Sequence, residues 1–177
     1  MNLSYHALAV KPVLNAYDSL QHLLDLAERH CQKNHLEESE LIHARLYDDM
    51  FDLDMQVNAA IMFSVRGLFS IVGKQSPSIE SGNESFVVIR ERLNRAREAI
   101  KSLSVEDFTA AEGQPAESTM PVVELSYDNG FDMLQEWTLP NLYFHVTTAY
   151  DILRHNGVAL GKQDYLGALT GNIKMRS

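Results

Sequence analysis

His145 lies among apolar residues on a segment whose spacing predicts a long helix. Leu142, Ala149 and Ile152 lie three, four and seven residues from it, so all four share one helical face. An imidazole can accept a proton, donate one or bind a metal ion, because its ordinary pKa is about 6.5. His145 is therefore a candidate catalytic or ligand-binding residue. The alternative is a histidine whose hydrogen bonds are satisfied within the core.

Three further polar residues precede or interrupt an apolar helix that the sequence predicts over 51–72. Arg45 and Asp49 stand four residues apart, so they can pair on a helical turn and cap the helix. The alternative places both at the rim of a pocket, with Asp49 as a candidate base. Gln56 is a polar residue on a mostly apolar helix. We expect it to be hydrogen-bonded inside the fold and count it as a candidate ligand-binding residue.

The overall charge limits the partners of the protein. It is −9, from 15 basic and 24 acidic residues, and a surface this acidic repels phosphate backbones and anionic lipid. We therefore expect no nucleic-acid partner and no membrane partner. One dense group of basic residues interrupts the acidic surface, and we interpret it as a solvated helix face interspersed with Glu91 and Glu98. Its members are Arg90, Arg92, Arg95 and Arg97.

The single cysteine, Cys31, excludes a disulfide within the chain, as is typical of a reducing compartment. Its position near the end of a predicted helix does not favour a reactive thiolate. The first ten residues lack the basic start and apolar stretch of a secretion signal. We expect a cytoplasmic protein.

Four segments show the apolar spacing of amphipathic helices. They are 12–33, 51–72, 84–103 and 131–156. Pro12 suits a first helical turn, and Gly73 and Gly157 suit helix ends. Pro140 falls inside the fourth segment, so we expect a kink or a break near Thr138.

The segment between the third and fourth helices is prone to form strands. We predict a small β-hairpin with strands near 107–112 and 121–127. The four apolar stripes must bury each other, and an antiparallel four-helix bundle does so most economically. A chain of 177 residues suits one domain, which we expect to span residues 1–177.

Two parts of the sequence resemble an uncharacterised bacterial family in the DinB/YfiT-like superfamily. The first is PNLYFHVTTAY at 140–150, followed by ILRHNG at 152–157 and LGK at 160–162. The second is ARL at 44–46, DMF at 49–51 and QV at 56–57. The resemblance extends from about residue 4 to residue 167. It implies a DinB-like four-helix bundle, and a homodimer, since relatives are often dimeric.

Typical members of this superfamily bind a divalent metal through three histidines, one on the second helix and two spaced four apart on the fourth. The resemblance places these ligand positions at or near Asn58 and at Asn141 and His145, so only one histidine is retained. Amides are poor ligands for zinc or nickel. We therefore assign no cofactor, although weak binding of a divalent metal is possible. A hard ion would need Asp49 or Asp54 to supply negative charge.

We expect Asn58, Asn141 and His145 to converge between two facing helices, because buried amides need hydrogen-bond partners. The leading hypothesis is a small-molecule-binding protein or a degenerate enzyme with an incomplete metal triad. One alternative is a metal-dependent thiol transferase or hydrolase-like enzyme, by resemblance to relatives that use thiols. The other is a non-catalytic structural dimer, in which the polar cluster only fixes the helix register.

Overall fold

The computed structural model of the chain describes residues 4–80, 82, 85–120 and 123–167. Within them, eight α-helices, one π-helical turn and one two-stranded sheet follow each other along the chain. The elements are α1 Tyr5–Asn34, α2 Glu38–Ile42, α3 Leu53–Ile71, α4 Phe86–Lys101, α5 Val105–Ala110, β1 Ala116–Met120, β2 Val123–Tyr127, α6 Gly130–Met133, the π-helical turn Leu134–Thr138, α7 Leu139–His155 and α8 Lys162–Leu166.

The four long helices α1, α3, α4 and α7 form the DinB-like antiparallel four-helix bundle that the sequence predicts. Helix α3 packs most extensively on α7, and α1 packs on α4 and α7. Their apolar stripes supply most of the core, including Val13, Leu24, Leu68, Leu93 and Ile152, each at most 1% exposed. In the described part of the chain, no helix has both the length and the hydropathy needed to cross a bilayer.

Capping residues explain why two helices begin elsewhere than predicted. Helix α1 begins at Tyr5, because the Ser4 hydroxyl accepts from the Ala7 backbone N–H, and Pro12 consequently lies inside the helix. Helix α3 begins at Leu53, because the Asp52 carboxylate accepts from the Met55 N–H. Helix α4 begins at Phe86, whereas the predicted start at residue 84 lies outside the described residues.

The hairpin between the third and fourth long helices is confirmed, but one of its strands is not where we predicted it. Strands β1 and β2 pair antiparallel, with Ala116 opposite Tyr127. Strand β2 lies within the predicted 121–127, of which residues 121–122 fall outside the described part. The prediction of a strand at 107–112 is wrong, because Ser104 and Asp107 form a reciprocal capping box that starts α5 instead.

The expected break near Pro140 takes the form of the π-helical turn. The Leu139 backbone N–H donates to the Leu134 carbonyl, five residues back, and Pro140 occupies the first turn of α7. Proline has no N–H with which to continue the α-helical ladder, and the break in that ladder falls immediately before it. Such π-helical turns are frequent at functional sites, and this one immediately precedes the helix that carries His145.

Two of the four arginines of α4, Arg90 and Arg92, do not lie on the solvated face that we predicted, whereas Arg95 is exposed. Arg92 is fully buried, and its Nη2 lies 2.5 Å from Oδ1 of Asp54 on α3. Arg90 pairs with Glu28 on α1, at 2.8 Å between Nη2 and Oε2. The prediction of a solvated face failed for these two residues because a carboxylate on a neighbouring helix compensates the charge of each guanidinium, so that the side chain can be buried.

Candidate functional site

His145 is held at the contact between α3 and α7, just beneath the surface. It is 7% exposed. Its Nδ1 lies 2.7 Å from Oε1 of Gln56, one turn into α3. A short, buried hydrogen bond between side chains of two helices fixes the orientation of both.

The hydrogen bonds of Gln56 determine which nitrogen of His145 carries the proton. The Gln56 amide Nε2 lies 3.2 Å from the Phe51 carbonyl oxygen, which can only accept. The amide nitrogen must therefore face Phe51, so the amide oxygen faces His145. The Nδ1–H of His145 donates to that oxygen. The Nε2 of His145 consequently keeps its lone pair.

Burial also determines the charge of this imidazole. Desolvation lowers the pKa of His145 from 6.5 to about 4, because the charged form loses its hydration. The side chain is therefore neutral at pH 7. With Nδ1 committed to Gln56, Nε2 acts as a hydrogen-bond acceptor, a weak base or a ligand.

Aromatic side chains surround the imidazole. The Phe63 ring lies nearly parallel to it, at 10° and 5.4 Å between centroids, and the Phe51 ring lies at 20° and 6.4 Å. Phe144 meets it edge-on at 5.2 Å, and Trp137 meets Phe63 edge-on. Phe51 is 48% exposed and Phe144 is 59% exposed. The site therefore combines a neutral nitrogen acceptor with exposed apolar faces, which suits a planar ligand.

The three residues that the resemblance placed at the site are not all brought together. Asn141 lies one turn before His145 on α7, and its Nδ2 donates to the Trp137 carbonyl at 2.8 Å. Asn58 lines a separate cleft with residues 76–79. Gln56 and Asn58 are two residues apart, which separates them by about 200° around the helix. Gln56, and not Asn58, is the α3 residue in contact with His145.

The expected pairing of Arg45 with Asp49 is not observed. Arg45 and Asp49 belong to a turn that precedes α3, because this helix starts only at Leu53. Arg45 instead lies 3.6 Å from the carboxylate of Asp52. Asp49 is exposed and makes no side-chain ion pair or hydrogen bond with a described residue. Its role as a base stays a prediction.

Sequence reasoning missed Phe51 and Phe63 as residues of the site, and interpreted Phe144 and Trp137 as core or dimer contacts. Phe51 and Phe63 lie twelve residues apart, one before α3 and one within it, so no helical spacing relates them to each other. The polarity of Gln56 on an apolar helix was the available signal, and it correctly indicated an internal hydrogen bond.

The comparisons with known proteins agree on one family. Residues 5–166 match the model of the family described as Domain of unknown function (DUF1993). The chain belongs to this family. A crystal structure of a DinB family member protein from Shewanella denitrificans is similar to this DUF1993 chain, with a TM-score of 0.84 and 30% sequence identity over 96% of this chain and 95% of that chain. The search of curated proteins found no match.

The side chains at this DUF1993 site fit a transition metal poorly. Next to the free Nε2 of His145 they offer the amides of Gln56 and Asn141, which are weak ligands for zinc or nickel. Asp54, which could have supplied negative charge, is engaged by Arg92. No group of three or more His, Cys, Asp or Glu side chains with metal-binding geometry occurs in residues 4–80, 82, 85–120 and 123–167.

Proposed function

We propose that this DinB-like protein binds a small planar molecule at the contact between α3 and α7, with His145 Nε2 as the hydrogen-bond acceptor. The observation that carries the proposal is the hydrogen bond from His145 to Gln56, which keeps a neutral imidazole in one tautomer. The role fits a small-molecule-binding protein or a degenerate enzyme derived from a metal-binding bundle. We further propose that residues 1–177 form one cytoplasmic domain.

The chemistry of the site defines the ligand class. A ligand that presents an N–H or O–H to Nε2 gains a hydrogen bond without displacing the Gln56 contact. An aromatic or conjugated ring beside that donor would contact the exposed faces of Phe51 and Phe144. Asn141 adds a polar group whose carbonyl oxygen has no partner among the described residues. Phenols and indoles have this combination of features.

A titration with phenol tests the proposal, with the affinity of every protein measured by isothermal titration calorimetry and the site located by NMR of wild type labelled with 15N-histidine. Phenol should shift the His145 Nε2 resonance saturably, and His145→Phe should weaken binding about tenfold or more. His155→Phe changes an exposed histidine at the end of the same helix and should leave the affinity unchanged. Phe144→Ala should also weaken binding, and since this ring is mostly exposed its removal should not unfold the protein. Phenol binding that is insensitive to both site variants would refute the proposal.

A metal-dependent transferase or hydrolase-like enzyme is a second candidate. The observation that favours it is the Nδ1 hydrogen bond, since metal-bound histidines usually donate their second ring nitrogen in this way. Metal analysis of tag-free protein, purified without added metal, distinguishes the two candidates. We expect much less than one equivalent of transition metal per chain. One equivalent, lost in His145→Phe, would support the enzyme and contradict a metal-free ligand site.

A homodimer is a separate proposal, which the exposed Phe51 and Phe144 side chains support. Two large exposed apolar side chains that both contact His145 favour association, because burying each removes apolar surface from water. Light scattering should give twice the mass of the chain, and Phe144→Glu should reduce it to one chain. Val105→Glu changes another exposed apolar residue, which lies on α5 and is 48% exposed, and the variant should remain dimeric. A monomeric wild type, or a dimer unaffected by Phe144→Glu, would contradict the dimer.

A further inference from the structure

A second polar groove lies along α3, and none of the residues that contact His145 lines it. Two adjoining clefts, of about 180 Å³ and 390 Å³, share Arg66, Ser76, Pro77 and Ser78. Their walls are α3, the segment 75–79 that follows it, and strand β1. Asn58 lies at one end of this groove and Glu117 at the other.

Arg66 is the only basic residue among the described residues that line the two clefts. Its Nη1 donates to the Thr119 carbonyl on β1 at 3.1 Å, which anchors the guanidinium against the hairpin. It forms no ion pair with any described carboxylate, and its remaining donors have no partner among the described residues. An anchored arginine with free donors is suited to bind an oxyanion through two parallel hydrogen bonds.

Small hydroxyl-bearing side chains line the larger cleft together with this guanidinium. They include Ser70, Ser78 and Ser118, and Ser76, whose hydroxyl donates to the Pro77 carbonyl. A serine hydroxyl can donate to an anionic oxygen, as hydroxyls commonly do at phosphate and carboxylate sites. On a protein of net charge −9, such a site must rely on local donors, because the long-range field repels anions.

We propose that this groove is a binding site for an oxyanion, a carboxylate or phosphate group of a small molecule, with Arg66 as its principal ligand. Glu117 limits the affinity, because its carboxylate shares the larger cleft with Arg66 and repels a bound anion. The site is distinct from that of His145, since the two share no lining residue. Removing the positive charge of Arg66 should therefore weaken anion binding, whereas removing the negative charge of Glu117 should strengthen it.

Titrations with inorganic phosphate and with succinate at constant ionic strength test this site, with the affinity of every variant measured by isothermal titration calorimetry and the Arg66 guanidinium resonances of the wild type locating the bound anion. At least one anion should bind saturably. Arg66→Gln should weaken binding about tenfold or more, the typical effect of losing a charge-assisted pair of hydrogen bonds. Glu117→Gln should tighten binding about two- to fivefold. Tighter binding of phosphate would identify a phosphate site, and tighter binding of succinate would identify a carboxylate site.

Two matched variants separate a specific site from general charge effects. Arg29→Gln removes an exposed arginine that also donates to a backbone carbonyl, and Glu124→Gln removes an exposed glutamate of the paired strand β2. Neither should change the affinity by more than about twofold. Because Arg66→Gln also removes the anchor to β1, Ser78→Ala provides a second test: it retains that anchor and should still weaken binding. Equal effects of Arg29→Gln and Arg66→Gln, or no saturable binding of either anion, would overturn the proposal.

Discussion

Gln56 Oε1 accepts a 2.7 Å hydrogen bond from Nδ1–H of His145, and this contact joins α3 to α7 at the centre of the candidate site. The same glutamine donates to the Phe51 carbonyl before α3. This one amide therefore determines the tautomer of His145 and also holds the backbone of Phe51, which leads into α3. Both the proposed ligand binding and the stability of this helix pair depend on it.

Replacing Gln56 should therefore affect both stability and the titration of His145. Gln56→Met leaves the buried Nδ1–H without an acceptor and should cost about 1–3 kcal/mol of unfolding free energy. Gln56→Glu places a carboxylate beside Nδ1 and should raise the pKa of His145 above its value of about 4. Urea unfolding and NMR titration measure the two effects. Gln21→Met removes a hydrogen bond to Asp25 on the surface of α1, so a cost as large as that of Gln56→Met would count against the special role of Gln56.

Acid should destabilise the fold through His145. Its folded pKa of about 4 lies below the unfolded 6.5, so the unfolded chain binds more protons between these values. The stability is fully present above pH 6.5 and is lost as the pH falls toward 4. Between pH 7 and pH 5, wild type should lose about 2 kcal/mol more than His145→Phe does. Equal losses in the two proteins, measured by urea unfolding, would show that His145 is not the group responsible.

The buried pair of Arg92 and Asp54 should contribute to stability only as a pair. Asp54→Asn leaves an uncompensated cation in the core and should cost about 3–5 kcal/mol. The double variant Asp54→Leu/Arg92→Met removes both charges and should recover most of that loss. Arg95→Met, at an exposed position of the same helix, should change the unfolding free energy by about 0.5 kcal/mol or less. A double variant as unstable as Asp54→Asn would contradict this account.

The close approach of α3 to the π-helical turn depends on a glycine. A Cβ at Gly67 would lie 2.2 Å from Oγ1 and 2.6 Å from Cγ2 of Thr138. Gly67→Ala should therefore destabilise the fold by about 1–3 kcal/mol, despite the better helix propensity of alanine. Thr138→Ala removes both clashing atoms, so the double variant should be more stable than the sum of the single changes predicts. Strictly additive changes in denaturant unfolding would mean that this contact is looser than described.

Much of the fold follows from local patterns, whereas the site depends on contacts between distant residues. The apolar spacing located the four long helices, and Pro140 marked the break that became a π-helical turn. The first strand was predicted at 107–112, but the capping box of Ser104 and Asp107 starts α5 there, so the strand begins only at Ala116. The resemblance indicated His145 and Asn141 on α7. On α3 it indicated Asn58, whereas Gln56, two residues earlier and therefore on a different face of the helix, contacts His145.

The tautomer of His145 provides the most direct test of the central claim. Long-range 1H–15N correlation spectra at pH 7 should show a proton on Nδ1 and an unprotonated Nε2, and the spectrum should remain unchanged to about pH 5. In Gln56→Met, the preference for this tautomer should weaken. A proton on Nε2, or an imidazolium at pH 7, would contradict the claim that Gln56 holds a neutral imidazole with its outer nitrogen free.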